Sequence, residues 1–350
     1  FLFAVILTFI VFVLGIILTG QGPLDMVLHW AGGFWNLLAF SMQMVLILVT
    51  GSAMAQAPVF QKLLKAIAKT TKTPGRAILI TTFIATICCW VNWGFGLVIG
   101  ALLAKEVAKE VKEVDYRLLI ASAYSGMIVW HGGLSGSIPL KLASASGLET
   151  ATAGAVTEAI PTSMTLFSPL NLFIFLAILI LMPLVTRAMH PEPEKTVTID
   201  PSKIGDESIE QYEVKTPADK MENSKIIWAL LVIMGFAYIV YYFANNGFKL
   251  GLNIVNFTFL FIGVLLHGNL RRYIDAVFAA AKGAAGIILQ FPFYAGIMGM
   301  MVGKSAAGAS LAGVISSAFV SISTVTTFPL FPLLSEGIVT FFVPSGGGQW

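Results

Sequence analysis

The chain has 350 residues, of which 57% are hydrophobic and only 11% are charged, and its mean hydropathy is +0.86. A soluble globular domain carries roughly 25% charged residues, so this composition excludes one and predicts a protein embedded in a lipid bilayer. The net charge of +3 is small, and nucleic acid is therefore not an expected partner.

Continuous apolar runs recur along the whole chain with almost no charged residue inside them. Each run is about 20 residues long, which matches a helix that crosses the hydrocarbon core, whereas the strands of a membrane barrel are about 10 residues long and alternate in polarity. We therefore expect an all-α polytopic membrane protein. The first two spans are predicted at residues 1–19 and 34–55.

A basic segment, QKLLKAIAKTTKTPGR, follows the second span at residues 61–76. Its cationic residues have no acidic neighbour, and their spacing predicts an amphipathic helix on the membrane surface. Because cytoplasmic loops carry an excess of Lys and Arg, we place this segment on the cytoplasmic side.

The next apolar run, residues 77–104, is interrupted at its centre by WVNWGFG. Basic residues flank it on both sides, so both of its ends are predicted to be cytoplasmic. Two half-helices of about 10 to 13 residues that meet at Asn92 fit a re-entrant hairpin better than a single crossing. Irregular backbone at that depth is stable only where protein or a watery cavity surrounds it.

A second interruption, HGGLSGSIP, ends the apolar segment at residues 118–140, which we interpret as a discontinuous crossing. A further span is predicted at residues 166–186. Residues 188–225 are rich in charge and form the predicted cytoplasmic linker. This linker separates a first repeat, residues 1–187, from residues 226–350, which hold one linking span and a second repeat.

The second half of the chain repeats the order of the first. Two spans, a small-residue surface helix and an apolar run with a glycine-rich tip follow one another, and an odd number of crossings separates the two copies. The second copy must therefore enter the membrane from the opposite face. Inverted repeats with interrupted helices are typical of secondary transporters whose site lies near the bilayer midplane. The linking span is predicted at residues 226–245, and the second copy at residues 252–267, 277–302, 304–319 and the tip 344–349.

Four segments carry a close resemblance to a known family: WVNWGFGLVIGALLAKEV, DYRLLIASAYSGMIVWHGGLSGSIPL, LQFPFYAGI and FVPSGGGQW. The family that they resemble is that of the short-chain fatty acid transporters, and the resemblance covers essentially the whole chain. It implies membership of the ion-transporter superfamily, with a scaffold domain, a mobile transport domain with two opposed hairpins, and elevator-like motion. It also implies that the second repeat is truncated after its hairpin tip, because family members are longer.

A short carboxylate in a low-dielectric cavity needs hydrogen-bond donors, and backbone N–H groups at the N-termini of half-helices supply them. Glycine lets the backbone approach such a ligand, although tight helix packing or a simple turn is the alternative explanation. The predicted substrate site consists of Asn92, Trp93, Gly94 and Gly96 at the first tip, Gly132, Gly133, Ser135 and Ser137 in the broken crossing, and Ser345, Gly346, Gly347, Gly348 and Gln349 at the second tip.

Aromatic and ionisable residues near these tips have two interpretations each. Trp90, Trp93 and Trp350 could wall a pocket for a chain of a few carbons, or serve as packing and interface anchors. His131 is ionisable inside an apolar run, which favours function, but a neutral histidine bonded to an unwound carbonyl is the alternative. Glu336 could be a proton or cation ligand, with a surface carboxylate as the alternative.

The predicted mechanism follows from the charge of the substrate. A monocarboxylate that enters a cell negative inside works against about 2.3 kcal/mol per 100 mV. We therefore predict cation-coupled symport of acids such as acetate, butyrate or acetoacetate, the acid being implied by the resemblance. Na⁺ held by neutral oxygens of Asn92, Ser135 and Ser345, and a proton carried with the acid, are both open. No other cofactor and no catalysis are expected, and a passive carboxylate channel or a membrane-embedded acyl enzyme are the alternatives.

The expected location is the bacterial inner membrane, as a multi-pass protein. The expected partners are short-chain monocarboxylates and the lipid bilayer. The oligomeric state is open, with a homodimer as one alternative.

Overall fold

The structure is a computed structural model, and it describes residues 1–145, 148, 156–201, 204 and 216–340. Within this part of the chain the secondary structure is helical, apart from one isolated bridge between Lys304 and Ser310. The prediction of an all-α polytopic membrane protein is confirmed, since six described helices are long and apolar enough to cross a membrane. They are Leu2–Thr19, Leu38–Ala55, Pro74–Val91, Pro169–Ala188, Lys225–Asn246 and Leu270–Val302.

The helices are numbered in chain order within the described residues. They are α1 (Leu2–Thr19), α2 (Pro23–Gly33), α3 (Leu38–Ala55), α4 (Pro58–Thr70), α5 (Pro74–Val91), α6 (Trp93–Glu110), α7 (Tyr116–Ser125), α8 (Ser137–Leu142), α9 (Pro169–Ala188), α10 (Pro217–Glu222), α11 (Lys225–Asn246), α12 (Leu252–His267), α13 (Leu270–Ala281), α14 (Ala285–Val302), α15 (Leu311–Ile322) and α16 (Leu330–Thr340). Several begin with a proline, whose fixed φ suits the first helical position. A 3₁₀ segment, Gly126–Gly132, continues α7.

The chain divides into two compact units, the first of which contains Phe1–Val45, Glu149–Val156 and Ala284–Trp350. Its core is formed where α2 packs on α14. There Gly33 and Gly299 bring two backbones together, because a Cβ atom on Gly33 would lie 2.7 Å from Cα of Gly299. Only residues without a side chain allow helices to approach this closely.

The second unit contains Leu46–Leu148 and Thr157–Gly283. Helices α5 and α6 form its centre. The 3₁₀ segment, α7 and α9 pack on α5, and α4 packs on α6. Another part of the unit joins α11, α12 and α13, where the indole Nε1 of Trp228 donates a 2.8 Å hydrogen bond to the carbonyl oxygen of Val264.

Helices α5 and α6 run antiparallel as a hairpin. A Cβ atom on Gly96 would lie 2.3 Å from the backbone nitrogen of Cys89, and one on Gly100 would lie 3.4 Å from Cβ of Ala85. In each of these close pairs, the two residues lie equally far along the sequence from the connection between the arms, as expected for antiparallel helices. Glycine on α6 lets the two arms touch backbone to backbone near the tip.

The arms of this hairpin are longer than predicted. Each has 18 residues, or about 27 Å, and the hairpin extends from Pro74 to Glu110 where residues 77–104 were expected. The prediction took the first charged residues as the ends of the arms. Charged side chains such as Lys105 do not stop a helix, since Lys and Glu are good helix formers that reach water from its outer end.

Two other segments differ in detail from the prediction. The span expected at residues 277–302 lies within the apolar helical stretch Leu270–Val302, in which a 3₁₀ turn at Lys282–Ala284 separates α13 from α14. The surface helix expected at residues 304–319 begins only at Leu311, because residues 304–310 form a turn with Gly308 at φ 81°, a conformation that glycine adopts without strain.

The lengths of consecutive helices repeat along the chain. Helices α1 to α4 have 18, 11, 18 and 13 residues, and α12 to α15 have 16, 12, 18 and 12 residues. A duplicated unit would give such an order, and the internal repeat itself stays a prediction. The opposite orientation of the two copies stays a prediction.

The start of the predicted linker, residues 188–225, is docked on the start of α7. The backbone N–H of Tyr116 donates to the carbonyl of Val197 at 2.8 Å, and the N–H of Val197 donates to Oδ2 of Asp115 at 2.9 Å. The N–H of Asp115 in turn donates to Nε2 of His190 at 3.1 Å. These bonds join residues about 80 positions apart and fix the first part of the linker.

Candidate functional site

Asn92 forms the tip of the α5–α6 hairpin. Its extended backbone, with φ −155° and ψ 122°, ends α5 and starts α6. Its Oδ1 accepts a 2.9 Å hydrogen bond from the backbone N–H of Phe95 and thereby caps α6. The residue is completely buried. Asn92 thus lies at the predicted interruption, and its amide oxygen is committed to the helix cap.

The broken segment between α7 and α8 contacts this tip directly. The backbone N–H of Trp93 donates a 3.0 Å hydrogen bond to Oγ of Ser135, and the N–H of Leu134 donates a 2.7 Å bond to the carbonyl of Trp90. Ser135 is fully buried. The structure therefore brings Asn92, Trp93 and Ser135 together, although 42 residues separate Trp93 from Ser135.

The glycines of the site make close backbone contacts. A Cβ atom on Gly133 would lie 2.3 Å from the carbonyl oxygen of Trp90, and one on Gly94 would lie 2.9 Å from that of Leu48 on α3. Gly96 faces Cys89 within the hairpin. These contacts are those of tight packing, the alternative explanation of the sequence pattern, and a role of the three glycines in substrate binding stays a prediction.

Asn171 is a residue of the site that the sequence reasoning missed. Its Nδ2 donates to the carbonyl of Gly132 at 2.9 Å and to that of Leu166 at 2.8 Å, so it ties the broken segment to the start of α9. A Cβ atom on Gly132 would lie 2.4 Å from Oδ1 of Asn171. The local sequence gives one signal, a polar residue early in an otherwise apolar span.

Spare hydrogen-bond donors lie at the tip. Nδ2 of Asn92 and Nε1 of Trp90 are buried and have no acceptor within the described residues. Ser135 uses its oxygen as an acceptor for Trp93, and its hydroxyl hydrogen remains available to a ligand. A buried donor without an acceptor costs about 1–3 kcal/mol. The tip is therefore better suited to a group that accepts hydrogen bonds, such as a carboxylate, than to a cation.

Aromatic rings surround one side of the tip. The rings of Trp93 and Trp130 meet edge to face with centroids 5.4 Å apart, and Trp130 stacks on His131 at 4.6 Å. Trp90 stacks on Phe175 of α9 at 4.9 Å, which favours packing for this residue. Trp93 and Trp130 are half-buried, so they retain surface that an acyl chain could contact.

Two polar residues of α8 have different environments. Ser137 is its first residue and is half-buried, and no described contact joins it to Asn92. Lys141 is only 8% exposed. A buried lysine on a helix adjoining the broken segment is a second feature that sequence reasoning did not identify.

The second predicted tip lies outside the described residues, which include neither Ser345, Gly346, Gly347, Gly348, Gln349 nor Trp350. The side chain of Glu336 is likewise outside the description. Within the described part of the chain, no three His, Cys, Asp or Glu side chains cluster as a metal site would require. The assignment of substrate and Na⁺ ligands stays a prediction.

Comparison with known proteins identifies one family. A family profile described as short chain fatty acid transporter matches residues 1–350. A protein of Escherichia coli (strain K12) is 43% identical over 352 residues, which cover 100% of this chain and 78% of the relative. A protein of Haemophilus influenzae (strain ATCC 51907 / DSM 11121 / KW20 / Rd) is 43% identical over 356 residues with the same coverage. Both are provisionally named as short-chain fatty acid transporters. No solved structure matches the chain.

Proposed function

Since the chain belongs to the short-chain fatty acid transporter family, we propose that it is a cation-coupled symporter that works by an elevator-like mechanism. Transport of short-chain fatty acids is the activity that the family assignment supports, and the relatives are named as transporters and not as enzymes. Six apolar helices and two bacterial relatives support a multi-pass protein of the inner membrane.

The observation that carries carboxylate recognition is the set of spare donors at the hairpin tip. Nδ2 of Asn92 and the hydroxyl of Ser135 belong to residues that are fully buried and linked through Trp93. A carboxylate has two oxygens that together accept up to four hydrogen bonds. If each donor bound one carboxylate oxygen, both donors would gain an acceptor. The free-energy cost of burying a donor without an acceptor would then be removed.

Selection of short chains has a physical basis in the aromatic rings beside these donors. Trp93 follows Asn92 directly in the chain, and its ring contacts that of Trp130, so both rings offer apolar surface next to the tip. Each buried CH₂ group contributes about 0.8 kcal/mol, so two or three methylenes against these rings give useful affinity. A longer acid would need additional apolar surface at the same place.

Cation coupling follows from the direction of the membrane potential. Import of one carboxylate costs about 2.3 kcal/mol per 100 mV, and a co-transported monovalent cation cancels that cost. Oδ1 of Asn92 is already occupied by the N–H of Phe95. A proton carried by the acid needs no further ligand, whereas Na⁺ would need oxygens in addition to Asn92. Experiments with imposed ion gradients distinguish the two coupling ions.

Uptake of labelled butyrate by proteoliposomes of the full-length protein tests this function. We expect saturable uptake that an inward gradient of either Na⁺ or H⁺ accelerates, and competition by acids of two to four carbons that weakens for longer acids. Liposomes without protein are the control. Uptake equal to that control would exclude transport of butyrate, and unsaturable flux that no ion gradient accelerates would replace the symporter with a passive channel.

A further inference from the structure

The surface of helix α4 consists of three sectors with different side chains. With 3.6 residues per turn, successive residues are about 100° apart. The buried Leu64 and Ala68 belong to the side that packs on α6. On a second side Val59 and Leu63 are 48% and 50% exposed although both are apolar. The third sector spans only about 60° and holds three exposed lysines: Lys62, Lys65 and Lys69.

Further exposed cations follow α4 in the chain. Lys72 and Arg76 follow it and are exposed. Arg187 joins them from the end of α9, because its Nε lies 3.2 Å from the position that a Cβ atom on Gly75 would occupy. We call this surface the basic face; its members are Lys62, Lys65, Lys69, Lys72, Arg76 and Arg187.

The charge of the basic face is not neutralised by the part of the protein that the structure describes. The ion pairs of the described residues involve other cations. On the neighbouring α6, Glu106 is paired with Lys109 at 3.0 Å. Among the described residues, no acidic side chain is therefore bonded to any of the six cations of the basic face.

We propose that the basic face binds the anionic phospholipid headgroups of the cytoplasmic leaflet. A helix that presents a cationic sector beside an exposed apolar one lies in the membrane interface, where lysines reach phosphates and apolar side chains reach acyl chains. Val59 and Leu63 supply the apolar contact. A free anion in solution would bind the cations but would leave both apolar side chains in water, so a lipid is the partner that satisfies both sectors.

Each cation near an anionic surface strengthens binding by about fivefold. Three lysines in one sector therefore give a preference large enough to measure in a lipid mixture. The proposal is independent of the transported substrate, and its test does not use transport.

Lipid retention provides the test. The full-length protein is reconstituted in vesicles of equal phosphatidylglycerol and phosphatidylcholine, extracted in mild detergent, and its bound lipids are quantified by mass spectrometry. We expect phosphatidylglycerol to be enriched on the wild type. The variant Lys62→Gln/Lys65→Gln/Lys69→Gln should lose that enrichment by about fivefold or more, and Arg76→Gln/Arg187→Gln should lower it less.

The matched control is Lys112→Gln/Lys195→Gln/Lys220→Gln, which removes three exposed lysines outside the basic face. It should retain the wild-type enrichment while changing the net charge equally. Equal loss in both triple variants would show a general charge effect and overturn the proposal. A wild type without preference for phosphatidylglycerol would overturn it as well. Gel filtration confirms that each variant is folded.

Discussion

The backbone N–H of Trp93 and the hydroxyl oxygen of Ser135 are 3.0 Å apart, and this hydrogen bond joins two interruptions of helical structure. One is the start of α6 and the other is the gap between the 3₁₀ segment and α8. Backbone groups that leave a helix within a membrane need partners inside the protein. The backbone N–H of Leu134 in turn donates a hydrogen bond to the carbonyl of Trp90. Each interruption therefore supplies a hydrogen-bond partner to a backbone N–H group of the other.

Replacing Ser135 with alanine tests the strength of this junction. The N–H of Trp93 would lose its acceptor in a partly buried position beside the fully buried Ser135, which costs up to about 1–3 kcal/mol. We expect a lower melting temperature in detergent and slower butyrate uptake. Ser125→Ala is the control, because the hydroxyl of Ser125 donates within its own turn, to the carbonyl of Ser122; equal losses in both variants would contradict the role of the Trp93 contact.

Asn92 is predicted to combine a structural and a ligand-binding role, which two substitutions separate. Serine also caps helices, so Asn92→Ser should keep much of the cap on Phe95 while removing the Nδ2 donor. We expect the KM for butyrate to rise by about tenfold, the equivalent of one hydrogen bond of about 1.4 kcal/mol, with a small change in melting temperature. Asn92→Ala removes the cap as well and should lower stability by about 1 kcal/mol.

The outcome for Asn92→Ser distinguishes two interpretations of the spare donor. A KM unchanged from the wild type, with the melting temperature also preserved, would mean that Nδ2 does not contact the substrate. Uptake of acetate and butyrate should be affected alike, since the amide would bind the carboxylate that both acids share.

Local sequence patterns identified both interruptions but not the contacts between them. Asn92 between two apolar runs predicted a tip, and HGGLSG predicted a break, because glycine and asparagine weaken helices wherever they occur. The bond between Trp93 and Ser135 depends on tertiary packing, and so does the bond from Asn171 to Gly132. No spacing of residues in a single segment encodes either one.

The interpretation of individual residues at the site depended on the same packing. Gly96 and Gly133 were predicted to let a ligand approach, whereas each lies against another backbone of the protein. Lys141 belongs to a polar stretch of sequence yet is 8% exposed. Burial follows from which elements pack together, and a sequence pattern reports it only when one face of a regular helix is consistently apolar.

A pair of glycine substitutions measures how closely the broken segment packs on the hairpin. A Cβ atom at residue 133 would lie 2.3 Å from the carbonyl oxygen of Trp90, so Gly133→Ala must displace the backbone and is expected to cost about 1–3 kcal/mol. At Gly286, within α14, no atom other than the neighbouring residues and backbone of the helix itself lies within 4 Å of the added Cβ. Gly286→Ala should therefore be neutral or stabilise the helix by about 0.5–1 kcal/mol. Thermal unfolding of the two variants in the same detergent compares them, and similar melting temperatures would contradict the close contact.

The docking of the linker on α7 should depend on the carboxylate of Asp115. Burial raises the pKa of Asp115, but hydrogen bonds from Arg117 and from the backbone N–H groups of Val197 and Leu118, together with the charge of Arg117, lower it from 3.8 to about 2. A carboxyl group with a lowered pKa stabilises the folded state above its ordinary pKa, and that contribution is lost as the pH falls through the folded value. The contribution of the Asp115 carboxylate to docking should therefore be constant at neutral pH and weaken as the pH falls from about 4 toward 2.

The substitution Asp115→Asn removes the negative charge of this carboxylate at neutral pH. An amide can accept a hydrogen bond from Leu118 through one oxygen, but its NH₂ group cannot accept from Val197. We expect faster hydrogen exchange at the amide of Val197 and easier proteolysis between His190 and Val197 at pH 7. Glu192→Gln serves as the control, because Glu192 lies in the same stretch and only forms an exposed ion pair with Lys195, and such pairs contribute little. Exchange at Val197 that is equally slow in both variants would show that the backbone bond to Tyr116 holds the linker without the carboxylate.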